Sequence, residues 1–168
     1  MRKIKYFFII MMASLALASC NSEDFDYDID YTAIHPLGGQ YKVTVSAGGA
    51  VVATKVACNI SNTSDNSSTK CWVRIGSYNS TADYAINGKI DCNVPALTFT
   101  GTDIENLAGN VATSTHKFTL ANGKVELKAV ETPSKTMSDK ISFTYTTTKK
   151  PGVTYTVVGY RYTRWPED

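Results

Sequence analysis

From Gly39 onward the chain is built of short stretches in which apolar and polar residues alternate. Gly38-Gly39 opens onto QYKVTVS, Gln40 to Ser46. Ala47-Gly48-Gly49 then turns the chain into Val51 to Ile60, where Val52, Thr54, Val56, Cys58 and Ile60 share one parity. A period of two sends successive side chains to opposite faces of a pleated strand, so this pattern admits strands and excludes amphipathic helices. The polar loop SNTSDNSSTK follows, then strand-like stretches over Cys71 to Tyr78 and Asp83 to Val94. Pro95 interrupts the ladder before Leu97 to Thr100 resume it. Lys117 to Leu120 and Val125 to Val130 flank Ala121-Asn122-Gly123, and Asn-Gly in that setting predicts a tight hairpin. Lys140 to Thr148 and Gly152 to Arg164 form a last hairpin over Lys149-Lys150-Pro151. Only Asp103 to Ser114 has room for a short helix, which Asp103 could cap and Gly109 and Asn110 limit.

Eight or nine strands joined mostly by short turns, with no parallel β-α-β pattern, define an all-β chain. A meander of this size removes its edges by closing, so the expected architecture is a single antiparallel up-and-down barrel of about eight strands. A β-sandwich is the competing arrangement. Parity selects the inward side chains: Val43, Val45, Val56, Ile75, Ile90, Phe99, Phe118, Leu127, Phe143 and Val157. An eight-stranded barrel holds either a packed core or one small ligand, and parity leaves both open. Trp72 and Trp165 fall on the polar parity, as exposed platforms for a sugar or another protein.

The N-terminus is organised differently. Arg2, Lys3 and Lys5 make a basic head, Tyr6 to Ala18 a 13-residue apolar run, and Leu17-Ala18-Ser19 leads into Cys20. That layout is a secretory signal, and the run is shorter than the roughly 20 apolar residues a membrane span needs. Leu-Ala-Ser-Cys resembles the lipobox of bacterial lipoproteins. The resemblance implies cleavage before Cys20 and acylation of that cysteine, so that the membrane is reached through a lipid anchor. Glu23, Asp24, Asp26, Asp28 and Asp30 follow within eight residues. Like charges extend a chain, which suits a tether. Cys-Asn-Ser-Glu-Asp also resembles the acidic export signal of Bacteroidetes-type surface lipoproteins, assigning Glu23 and Asp24 to export. The expected organisation is therefore a signal peptide at 1–19, a lipidated tether at 20–32, and a barrel domain at 33–168. The location so implied is the outer membrane, facing the cell surface, with the periplasmic face as the alternative.

Of the 17 Lys+Arg and 15 Asp+Glu, the head takes three bases and the tether five acids. Residues 31–168 thus carry 14 bases and 10 acids, a net +4. Those bases are dispersed, whereas nucleic-acid binding calls for a clustered basic face, so no nucleic-acid partner is expected. Cys58, Cys71 and Cys92 all lie on apolar parity, and their odd number excludes a complete disulfide framework. Buried free thiols are expected, with a Cys58–Cys71 bridge as the other reading. No pair has zinc-ligand spacing, so neither metal nor cofactor is expected.

The closing stretch TYTVVGYRYTRWPED, Thr154 to Asp168, resembles the C-terminus of a family of Bacteroidetes lipoproteins labelled lipid-binding putative hydrolases. Similar too are the Tyr-Asp-Ile-Asp segment after Cys20, the Lys42-Val43-Thr44-Val45 and Lys89-Ile90-Asp91-Cys92 strands, and Gly123 to Tyr145. The family is calycin-like, with a lipocalin-like barrel. Calycins begin with Gly-x-Trp on the first strand, packed against a basic residue of the last. The resemblance implies that Gly39-Gln40-Tyr41 takes that place, with Arg161 or Arg164 over the Tyr41 ring as the barrel closure.

The label also invites a search for a nucleophile. His35 and His116 are the two histidines, and no Gly-x-Ser-x-Gly elbow is present. Asp91, Asp103, Glu105, Glu126 and Glu131 are scattered, and no catalytic residue emerges from the pattern. The expected role is non-catalytic binding of a small apolar or lipid-like ligand. An accessory lipoprotein of a cell-envelope uptake assembly, with a filled core and protein partners, is the alternative. A hydrolase is the second alternative.

Overall fold

The computed structural model describes residues 31–168, so the expected signal peptide at 1–19, Cys20, Glu23 and Asp24 lie outside the described residues. Eight strands run in chain order: β1 Gly39–Ala47, β2 Ala50–Asn62, β3 Lys70–Ile75, β4 Ile86–Asn93, β5 Thr98–Glu105, β6 Lys117–Glu131, β7 Met137–Thr147 and β8 Lys150–Arg161. Each pairs antiparallel with its sequence neighbours, and β1 pairs with β8 from Tyr41↔Arg161 to Ala47↔Tyr155. The sheet is a closed up-and-down barrel, not a sandwich. No helix forms among the described residues: Asp103 continues β5 to Glu105, and an irregular loop then leads to β6.

The barrel is filled by its own side chains. Inward residues of all eight strands are buried, and the bulkiest of them form a column. Phe99 meets Phe143 edge-on at 5.5 Å, Phe143 leans on Tyr145 at 6.1 Å, and Tyr145 stacks on Tyr155 at 5.0 Å. Such pairs favour offset and edge contacts and each add about 0.5–1.5 kcal/mol to the area they bury. Tyr145 is tolerated inside because its hydroxyl donates to Tyr84 O at 2.5 Å. At one end the turn before β1 drops Ile34 and Leu37 into the barrel, both essentially without solvent exposure. At the other, buried Asn106 donates to Ala85 O at 3.0 Å and accepts from the amides of Asn87 and Ala108, so its oxygen is fully used.

Val43, Val45, Ile75, Ile90, Phe99, Phe118, Phe143 and Val157 lie in this core, and Val56 packs against it half-buried. Leu127 does not. It is 51% exposed because β6 outruns the barrel: β5 pairs with β6 only as far as Lys124, while β6 continues to Glu131 on β7 alone. Parity places Leu127 on the side of Val125, but there is no interior left to enter.

The Asn122-Gly123 hairpin is likewise absent, since β6 runs straight through it. Asn122 has φ 57°, and the pairing register with β7 shifts between Ala121 and Lys124, which marks a bulge. A Cβ on Gly123 would collide with the Phe99 carbonyl of β5. The positive φ and missing side chain that make Asn-Gly a turn signal are used here to bend one strand around another.

Closure of the ring rests on Arg161. Its guanidinium lies 5.0 Å from the Tyr41 ring, and Nη2 donates to the Tyr41 hydroxyl at 2.9 Å. It also donates to the carbonyls of Gly38 and Pro36, and Nε donates to Asp139 Oδ2 at 2.8 Å. The Tyr41 hydroxyl in turn donates to Leu37 O at 2.8 Å, and Asp139 Oδ1 accepts the Lys128 amide at 2.9 Å. A Cβ on Gly39 would strike Nη1, which explains glycine at the head of the Gly39-Gln40-Tyr41 triplet. Burial pushes the Tyr41 phenol well above its usual range although Arg161 opposes the shift, so the ring remains neutral.

Cys58, Cys71 and Cys92 are free and buried, with no Cys58–Cys71 bridge. Burial pushes the Cys58 thiol up to about 12 and raises Cys71 and Cys92 as well, with Cys92 adding to the effect on Cys71.

Two predictions follow from this packing. Arg161→Ala leaves the half-buried Asp139 carboxylate and two plug carbonyls without their donor, and should lower unfolding stability by about 3 kcal/mol in urea titrations. A loss below about 0.5 kcal/mol, the level of an ordinary surface change, would contradict this account of closure. In the full chain carrying Cys20→Ser, Ellman's reagent at about pH 8 should label no thiol until denaturant is added, because all three stay protonated and shielded. Rapid labelling of the native protein would refute that burial.

Candidate ligand-binding surface

With the interior occupied, concave space lies on the outer wall. An apolar hollow sits over the β1–β8 seam and holds about 480 Å³. That is within the roughly 300–1,000 Å³ range of small-molecule sites. Gly159 contributes to its floor. A Cβ there would collide with the Lys42 carbonyl and come within 2.7 Å of the Val43 Cα, so β1 and β8 approach closely with no side chain over the contact. Val158 and Tyr160 line it from β8, and Val158 is 44% exposed.

The walls come from two hairpins that overhang the barrel. Thr54 and Lys55 rise from β2, where a bulge with Lys55 at φ 53° shifts the register against Val43 and Val45. Val130 and Pro133 come from the β6–β7 hairpin, beyond the last β5–β6 pair. Lys42, Lys55 and Lys140 border the hollow. Lys42 Nζ lies 4.8 Å from the Tyr162 ring, and Lys140 reaches Glu126 at only 3.8 Å. Lys55 makes no ion pair among the described residues. An apolar trough edged by ammonium groups is therefore suited to an amphipathic molecule with an anionic end.

Parity could not find this trough, because it selects inward residues and the trough is built from outward ones. Of the inward candidates only Val43 borders it. The available signal was Val157-Val158, two valines in succession where alternation demands one polar residue.

The residues considered for hydrolysis do not converge. His35 stacks on Tyr31 at 4.2 Å, and both are exposed. His116 shares a loop with Ser114 and lies near Glu105 in the fold, but only through backbone groups. The His116 amide donates to Ser114 Oγ at 3.0 Å, and the Ser114 amide donates to Glu105 Oε1 at 2.6 Å. A nucleophile needs its hydroxyl on an imidazole, and here the hydroxyl caps a turn. Among the described residues no three His, Cys, Asp or Glu side chains form a metal-binding group. Trp165 is 58% exposed near the C-terminus, and Trp72 is half-buried on the outer face of β3.

A family model described as "Lipid-binding putative hydrolase" matches residues 26–166, which span all eight strands. A search of curated proteins found no match.

Proposed function

The chain belongs to the family of lipid-binding putative hydrolases, and on that premise we propose that it binds an amphipathic lipid non-catalytically on its outer wall. The observation that carries this reading is the apolar trough over the β1–β8 seam, bordered by Lys42, Lys55 and Lys140. An acyl chain lies along Val158, Val130 and Pro133, and a carboxylate or phosphate at its end meets the ammonium groups. Each methylene removed from water contributes about 0.8 kcal/mol. Exposed ion pairs add at most about 1 kcal/mol each. Affinity therefore follows chain length, and the lysines choose the headgroup. Because the trough is open, the lipid exchanges rather than being sealed in.

The packed interior favours the accessory role as a second reading, in which the outer wall meets other proteins of the cell envelope. In both cases Cys20 carries the lipid anchor, residues 20–32 form the tether, and the barrel stands off the outer membrane. The lipobox resemblance supports that placement. Labelled palmitate should enter the full chain in a bacterial host and fail to enter Cys20→Ser; equal incorporation would remove the anchor from the model.

The lipid reading is tested by NMR titration of the Cys20→Ser chain with dodecanoate below its micelle concentration. Shift changes should map to Thr44, Thr54 and Val158, and Val158→Asp should weaken binding at least tenfold with an unchanged melt. Dodecyltrimethylammonium should bind several-fold more weakly than dodecanoate. Shifts elsewhere on the barrel, or none, would overturn the site.

A further inference from the structure

A second hollow of about 460 Å³ lies on another wall, across β2, β3 and β4, and its chemistry differs from that of the trough. Strand register arranges it in two rows. Asn59, Arg74 and Asn87 pair across the three strands in one row, and Ser61, Trp72 and Lys89 in the next. Tyr78 and the β5–β6 loop residues Asn110 and Val111 close the sides.

The fold gives no account of these polar groups. Asparagine is a poor strand residue, yet Asn59 and Asn87 flank Arg74 on both sides. Among the described residues, the side chains of Asn59, Asn87 and Asn110 make no hydrogen bond, and Arg74 makes neither an ion pair nor a hydrogen bond. Arg74 Nε is also buried without a partner, a costly arrangement for a charged group. The guanidinium lies 5.5 Å from the Tyr78 ring, and Lys89 Nζ 5.8 Å from the Trp72 ring, so both aromatics are fixed beside a cation. Arg74 is the one charged residue lining the hollow, and Lys89, beside Trp72, stands at its border.

Unused amide donors and acceptors, a half-buried indole and a single guanidinium make a site for a polyhydroxylated ring that carries a carboxylate. We propose that this wall binds an acidic saccharide, a hexuronate unit, with Trp72 against the apolar face of the ring, the asparagines on its hydroxyls, and Arg74 on its carboxylate. Arginine suits that last task because its planar fork matches a carboxylate. A neutral sugar forgoes this contact, so the site discriminates by charge.

The test is calorimetric titration of the full Cys20→Ser chain with short oligogalacturonates and with cello-oligosaccharides of equal length. The acidic series should bind at least tenfold more tightly. In Trp165→Phe, which leaves Trp72 as the sole indole, it should also shift the tryptophan emission. Trp72→Ala should weaken binding at least tenfold, whereas Trp72→Phe, which preserves a ring, should lose less and controls for folding. Arg74→Gln combined with Lys89→Gln should abolish the preference for acidic over neutral ligands, and Arg74→Gln alone should remove most of it. The proposal is overturned if neither series binds at millimolar concentration, if Arg74→Gln leaves the preference undiminished, or if dodecanoate displaces the saccharide. The Val158→Asp variant should bind the saccharide normally, so failure of the lipid reading and failure of this one are distinguishable.

Discussion

The Arg161 guanidinium is the point at which the barrel becomes a single object. Its partners belong to segments far apart in the chain: Pro36 and Gly38 in the plug, Tyr41 on β1 and Asp139 on β7. Without that knot, β1 and β8 would still have matching edges, but the plug carrying Ile34 and Leu37 would not be held over the open end. A barrel end left open admits water to the apolar column behind it. The desolvation of one cation is compensated because it is shared among a carboxylate, two carbonyls and a phenol, the condition under which a partly buried charge is tolerable.

Closure and packing together determine where function can reside. Phe99, Phe143, Tyr145 and Tyr155 occupy the axis that a hollow barrel would leave to a ligand. Opening that space would require several large side chains to leave close-packed positions, and such cores do not deform continuously. The proposed recognition is accordingly on the outer wall, where strand register supplies ordered rows of side chains and the overhanging ends of β2 and β6 supply relief. Sites built this way rest on a rigid sheet. They can also vary without disturbing the core.

How far the sequence reveals all this depends on whether a property is local. Alternation around Val43 and Val45, or Ile90 and Cys92, reports a strand and its inward face, because both are consequences of the pleat. The end of the barrel is not local: Leu127 has the parity of Val125, and only the length of β5 leaves it outside. Asn122-Gly123 fails for a related reason. Its conformational freedom is legible, but whether that freedom reverses a chain or bends it around Phe99 is set by the neighbouring strand. Whether the interior is hollow depends on how the tyrosines are satisfied, and Tyr145 finds its partner 61 residues away at Tyr84. The outward sites were legible only as breaches of pattern: a second valine at Val158, and asparagines in strand positions at Asn59 and Asn87.

Those breaches have opposite chemical characters, and that difference bears on how the two walls operate together. The trough is apolar with lysines at its edge, so in the proposed reading chain burial supplies the affinity and the ammonium groups favour an anionic headgroup. The β2–β3–β4 wall is polar, carries its charge on a guanidinium beside the Tyr78 ring, and in the proposed reading selects by geometry. They share no lining residue, and Arg161 belongs to neither. Substitutions in one should therefore be nearly additive with substitutions in the other, provided the closure is intact. On the two proposals together, a filled barrel with independent outer sites would hold two unlike ligands at once, which a single internal cavity could not do.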